Sequence, residues 1–140
     1  QSYLMRLTAY RKAHFNAAHR LYRKDWSDEK NEEVFGKCSN PHFHGHNYDL
    51  EVGVTGEVDP ETGYLIDLKI LKDIIRDEVE DYMDHKNLNE EVPEFATMIP
   101  TAEHIAYVIY NRIKAKLEDR FELEIKLYET PRNFVVYKGG

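Results

Sequence analysis

The sequence predicts an α+β fold, an antiparallel four-stranded sheet with two helices on one face. Three observations lead there. Apolar and polar residues alternate over residues 3–15, 46–55 and 122–128, the two-residue period of half-buried strands. Residues 68–83 and 102–118 instead carry apolar stripes at i, i+3 and i+4, the period of amphipathic helices. Strands come first, then helices, then strands again, so both helices can cover the same sheet face. The other face stays open, which points to assembly with further copies of the chain.

The first strand covers residues 3 to 15, with Met5, Leu7, Ala9 and Ala13 on one parity and Arg6, Thr8 and Lys12 on the other. His14 to His19 either continues it or bulges. Residues 20 to 43 form a long connection, of a length that is often functional. Within it, Ser27 can cap a short helix ending near Phe35, with Gly36 as the C-terminal stop. Asn40-Pro41 reads as a turn.

Residues 46 to 55 give the cleanest strand, with Tyr48, Leu50, Val52 and Val54 alternating against Asn47, Asp49 and Glu51. Val58 to Gly63 is a turn, and Tyr64 to Ile66 reads as a short return strand. Asp67 can cap a helix from Leu68 to about Met83, with Leu68, Leu71, Ile75, Val79 and Tyr82 as its apolar stripe. Residues 87 to 99 read as loop. Thr101 can cap the second helix, from Ala102 to about Glu118, with Ile105, Val108, Ile109, Ile113 and Leu117 facing inward. Glu122 to Tyr128 and Asn133 to Tyr137 are the closing strands.

A chain of 140 residues, 41% hydrophobic and 32% charged, fits one soluble domain spanning 1–140. Its net charge of −7 argues against non-specific nucleic-acid binding, which wants a basic face. With one cysteine, no internal disulfide can form, so no oxidising compartment is needed. There is no apolar run of membrane-spanning length and no signal-peptide pattern. The expectation is a cytoplasmic protein without membrane attachment.

The chemistry concentrates between Gly36 and Tyr48, which hold Cys38, His42, His44 and His46. If the strand reaches back to His44, then His44 and His46 share one face, with the parity of Tyr48 and Leu50. Two imidazoles on one strand face can share a metal, and zinc suits imidazole nitrogen. The plainer reading is two histidines beside a turn. His19 is the candidate third ligand, although a lone histidine more often serves a structural hydrogen bond. Cys38 could close such a site as a fourth ligand, or stand free as base or nucleophile. Glu129 shares the parity of Leu123, Ile125 and Leu127. A carboxylate there either anchors a ligand or reaches water at the strand end. Asp84 and His85 adjoin in sequence, and adjacency alone reads as a polar helix end carrying a dipole-favoured cation.

Seven segments together resemble the 6-pyruvoyl-tetrahydropterin synthase family nearly end to end: Phe15 to Leu21, Phe35 to Cys38, His44 to Tyr48, Gly56 to Pro60, Asp84 to Leu88, Tyr128 to Thr130 and Val136 to Gly139. The resemblance implies the tunnelling fold, in which trimers close a β-barrel and stack as a homohexamer. It implies His19, His44 and His46 as zinc ligands and Cys38 as the catalytic thiol. Asp84 and His85 would be its proton-relay partners from a neighbouring subunit. Glu129 would anchor the pterin, with Thr101 and Glu103 lining its pocket. Ala102 departs from the pattern, since a hydroxyl residue is usual there.

The implied substrate is 7,8-dihydroneopterin triphosphate, with magnesium as its counterion and Arg20, Arg23, Lys24 and Lys37 as triphosphate contacts. A related activity, 6-carboxy-tetrahydropterin synthase of queuosine biosynthesis, is the alternative product. There the cysteine typically lies four residues before the histidine pair, whereas Cys38 lies six before His44. A non-catalytic zinc- or pterin-binding assembly protein, with Cys38 closing the metal site, is a third reading.

Overall fold

The computed structural model describes residues 5–140, so Tyr3 and Leu4 of the expected first strand lie outside the described residues. Two long strands form its centre. Strand β1 (Arg6–His19) and strand β2 (His44–Glu57) pair antiparallel from Arg6 opposite Glu57 to His19 opposite His44. His14 to His19 therefore continues the first strand without a bulge. The alternating side of β2 is the buried one, and Tyr48, Leu50, Val52 and Val54 are all fully enclosed.

The sheet has five strands in the order β3-β1-β2-β4-β5 and is mixed, which corrects the expected four-stranded antiparallel sheet. Strands β4 (Glu122–Tyr128) and β5 (Phe134–Tyr137) add antiparallel beside β2. The extra strand, β3 (Lys86–Asn87), runs parallel to β1 at Ala17 and Ala18. Two residues are too few to leave a periodic signal in the sequence. The expected strand Tyr64–Ile66 is instead a loop closed by Asp59 N–H to Tyr64 O (2.8 Å) and Gly63 N–H to Asp59 O (2.8 Å). Both edges of β2 are already taken by β1 and β4.

Helix α1 (Asp28–Phe35) starts where Ser27 Oγ accepts from Lys30 N–H (3.1 Å) and stops at Gly36, whose φ of 61° lies in the left-handed region. Helix α2 (Leu68–Ile75) is capped by Asp67, then widens into a π turn at Arg76–Glu80 before a last α turn at Asp81–Met83. Its buried stripe is Leu71, Ile75, Val79 and Met83, which revises the expected one: Leu68 is half exposed. Residues spaced every four drift off an α-helix of 3.6 residues per turn. The wider i→i+5 turn takes up that drift and keeps all four on the core.

Residues 87–99 hold more structure than a loop. Asn87 caps a short helix, α3 (Leu88–Glu91), and a 3-10 turn follows at Pro93–Ala96. Leu88, Val92 and Phe95 anchor this stretch in the core. Helix α4 (Ala102–Lys114) begins at Thr101 as expected but ends a turn early. Leu117 still reaches the core from the turn beyond.

The core lies between these helices and one face of the sheet. The opposite face is polar, with Thr8 bonded to Thr55 (2.6 Å), Tyr10 to Glu124 (2.6 Å) and Arg6 paired with Glu122. Among the described residues, no helix is long and apolar enough to cross a membrane. Leu50→Ala removes a fully buried side chain from the centre of this core. It should lower the stability of the chain by about 2–5 kcal/mol, read as a reduced urea midpoint at unchanged slope.

Candidate metal centre

The β1–β2 register assembles the site. His19 and His44 are direct cross-strand partners, so they share a sheet face, and His46 follows His44 on that face. This is the helix-covered face, since Tyr48 and Leu50 continue it into the core. The histidines therefore do not occupy the open face. They stand at the end of the core, with ring centroids 4.9 Å apart for His19 and His46 and 4.5 Å apart for His44 and His46.

His19 is fully buried. Its Nδ1 lies 2.9 Å from the Pro100 carbonyl oxygen and 3.3 Å from the Tyr48 hydroxyl. Burial lowers its pKa from an ordinary 6.5 to about 4, with help from the neighbouring His46 and His44 and against the Pro100 bond. Burial also lowers His46, against the pull of the Glu129 carboxylate. Both rings are thus neutral near pH 7, the form that binds metals. The Nε2 atoms of His19 and His46 are buried without a hydrogen-bond partner. Orphaned buried nitrogens are rare and costly, and a metal ligand role explains two of them side by side.

Cys38 reaches the pair because the long connection folds back on β1. It sits on a 3-10 turn, Gly36–Ser39. Leu21 N–H donates to Cys38 O (2.6 Å), and Arg20 Nε donates to Ser39 O (2.8 Å). Upstream, the buried Asn31 side chain accepts from Arg23 N–H (2.8 Å) and donates to Arg23 O (3.0 Å). These bonds bring the Cys38 thiol and one nitrogen each of His19 and His46 within 4.8 Å of one another, a group able to hold a metal ion. Desolvation first, then the Glu129 charge, raises the thiol pKa.

His44 touches His46 but lies outside that three-residue group. It instead lines a cavity of about 710 Å³ that also presents Arg20 and Lys37. Glu129 leaves β4 with its N–H on Asn133 O (3.1 Å) and its carboxylate 4.0 Å from His46 Nε2. Thr101 caps α4, accepting from His104 N–H (3.2 Å), and Glu103 is exposed on the first turn. Arg23 is tied to Asp25 (2.9 and 3.0 Å) and, with Lys24, lines a different cavity.

Asp84 and His85 form a pair of their own, apart from the thiol group. Asp84 Oδ2 is 3.0 Å from His85 Nδ1. Asp84 Oδ1 accepts Asn16 N–H (2.8 Å), and His85 N–H donates to Asn16 O (2.6 Å). The pair therefore grips β1 at one residue. The Asn16 N–H and the His85 ring hold the Asp84 carboxyl below its ordinary pKa. His85 has a φ of 59° and a side chain 79% exposed, so its free nitrogen faces outward.

Sequence reading missed Tyr48 and the Pro100 carbonyl as neighbours of His19. Tyr48 carried a signal, the parity it shares with His44 and His46. A main-chain carbonyl 81 residues away carried none.

A family model described as 6-pyruvoyl tetrahydropterin synthase matches residues 8–140. The 6-pyruvoyl tetrahydrobiopterin synthase of Homo sapiens is 45% identical over 129 residues, covering 92% of this chain and 89% of its own. The 6-carboxy-5,6,7,8-tetrahydropterin synthase of Haemophilus influenzae is 33% identical over 123 residues, covering 74% of this chain and 85% of its own. The solved structure of Caenorhabditis elegans 6-pyruvoyl tetrahydropterin synthase superposes with a TM-score of 0.92 at 37% identity, covering the whole of both chains.

The depressed pKa of His19 has a consequence for stability. Unfolded, the ring takes up a proton as pH falls below 6.5; folded, it resists until about 4. Its contribution is therefore complete above pH 6.5 and lost as pH falls towards 4. In metal-free protein, the thermal midpoint should drop across that window, and the drop should be smaller in His19→Gln.

Proposed function

The chain belongs to the 6-pyruvoyl tetrahydropterin synthase family, and on that premise we propose that it is a zinc-dependent lyase. It converts 7,8-dihydroneopterin triphosphate to 6-pyruvoyl-tetrahydropterin with release of triphosphate. The observation that carries this reading is the pair of buried, unpartnered imidazole nitrogens with a thiol in reach.

His19, His44 and His46 would hold the zinc, three imidazoles leaving one position open for substrate. Bound there, zinc supplies Lewis-acid polarisation of a substrate oxygen and so acidifies the adjacent C–H bonds. Cys38 takes and returns a proton at Sγ, moving hydrogen within the substrate side chain so that no external oxidant is consumed. Glu129 accepts two N–H bonds from the guanidine-like edge of the pterin. Thr101 and Glu103, at the start of α4, line the pterin pocket. Arg20 and Lys37 neutralise triphosphate alongside magnesium, because they share a cavity with His44. Arg23 and Lys24 line a separate cavity and have no part in this proposal.

Asp84 orients His85 through Nδ1, leaving Nε2 to exchange protons. The outward aim of His85 favours service to the site of a neighbouring subunit. β1 pairs with β3 only at Ala17 and Ala18, which leaves most of that edge able to pair with another chain. A barrel-forming homohexamer in the cytoplasm, the tunnelling fold, fits these features.

A second reading has its own observation. The thiol stands within ligand range of His19 and His46 while His44 does not join them. Cys38 would then be a zinc ligand, closing the site as the fourth beside the three histidines, and the protein would bind without catalysis.

The deciding experiment supplies zinc-loaded protein with 7,8-dihydroneopterin triphosphate and identifies the pterins by mass spectrometry with an acetaldehyde trap. The expected result is the 6-pyruvoyl product, triphosphate and no acetaldehyde. The 6-carboxy product with acetaldehyde would assign the chain to the other activity. Cys38→Ala should cut turnover about 10²- to 10⁴-fold with zinc content intact; loss of zinc instead would favour the closed site.

A further inference from the structure

We propose that Tyr48 is a positioning residue that works with the Pro100 carbonyl to hold His19 as the Nδ1–H tautomer, so that the Nε2 lone pair points at the metal. The proposal deepens the metal reading above and rests on it.

In this ring orientation the Pro100 carbonyl selects the hydrogen on Nδ1. A carbonyl oxygen only accepts hydrogen bonds. With Nδ1 at 2.9 Å from Pro100 O, a bare nitrogen would set two lone pairs against each other. Nδ1 therefore carries the hydrogen and donates it to Pro100. The neutral ring then has its lone pair on Nε2, the buried atom without a partner. Metal-binding histidines are commonly fixed in this way through their other nitrogen.

The carbonyl itself is held rigidly. Pro100 precedes the cap of α4, where Thr101 N–H donates to Ile99 O (2.8 Å) and Ile105 N–H to Thr101 O (2.8 Å). Thr101 thus sets the direction of the Pro100 carbonyl through its place at the helix start.

Tyr48 closes the ring from another side. It is fully buried and stacks on Phe15 at 5.0 Å with planes 19° apart. Its hydroxyl oxygen lies 3.3 Å from Nδ1, where it can share the Nδ1–H already given to Pro100. Rotation of the His19 ring by half a turn would place carbon against both oxygens and lose both contacts. Carbonyl and phenol together hold one tautomer and one ring orientation. Since Tyr48 touches neither substrate nor metal in this scheme, its effect passes through His19.

Two measurements test this. Long-range ¹H–¹⁵N spectra of metal-free protein at pH 7.5, with His19 assigned by its absence in His19→Gln, report the tautomer directly. The expected wild-type result is Nδ1–H, and Tyr48→Phe should populate the Nε2–H form. Competition with a chromophoric chelator measures zinc affinity, which Tyr48→Phe should weaken about 10-fold or more. A merely structural phenol would move the thermal midpoint of Tyr48→Phe and leave its His19 as Nδ1–H, which would overturn the proposal. His19 carrying its proton on Nε2 in the wild type would overturn the proposal without any substitution. Equal zinc affinity in Tyr48→Phe would overturn it alone, whereas a wild type that binds no zinc would overturn the metal reading and this proposal together.

Discussion

The pairing of His19 with His44 across β1 and β2 is the constraint on which the site depends. Fourteen residues on each strand pair without interruption. The apolar face of β2 sets which register is possible. Slipping the ladder by one residue would turn Tyr48, Leu50, Val52 and Val54 towards solvent. The same slip would send His44 and His46 to the polar face and part them from His19. The core and the candidate metal centre are thus two ends of one sheet face, and the force that buries four apolar side chains also converges the imidazoles.

Placing imidazoles there works against stability. Each orphaned buried nitrogen forfeits about 1–3 kcal/mol relative to a satisfied one, and His19 also surrenders its charge over an acidic range where free histidine would keep it. Apolar residues at the same positions would simply lengthen the core. Such local conflict with good folding is what a functional site looks like. The surrounding structure answers it with rigid supports: the Pro100 carbonyl on His19, the Leu21–Cys38 main-chain bond, and the double grip of Asp84 and His85 on Asn16. Two of them act on the last four residues of β1 and the third on Leu21 just beyond it, so that strand end is the place where core, thiol loop and proton-relay pair meet.

Much of this was legible in the residues because it is periodic. Tyr48 to Val54 declared β2 and its buried side, and parity carried that side back to His46 and His44. Asp67, Ser27 and Thr101 announced helix starts through side chains that can accept main-chain N–H groups. What escaped was short or non-local. β3 spans two residues, and the π turn in α2 answers a spacing of four that sequence alone reads as an ordinary stripe. The setting of His19 depends on Pro100, far along the chain, and the reach of Cys38 depends on how residues 20 to 43 fold back. Asp84 and His85 read as a helix end from sequence, and their grip on Asn16 exists only once β1 lies beside them.

In the proposed centre, three imidazoles bind the metal and leave the Cys38 thiol free beside it. Zinc K-edge X-ray absorption of the zinc-loaded chain tests it most directly. The expected result is a coordination shell of nitrogen and oxygen only, at about 2.0–2.1 Å, with the outer-shell signature of imidazole. A sulfur shell at about 2.3 Å would contradict it, placing Cys38 among the ligands and leaving the proposed chemistry without its base.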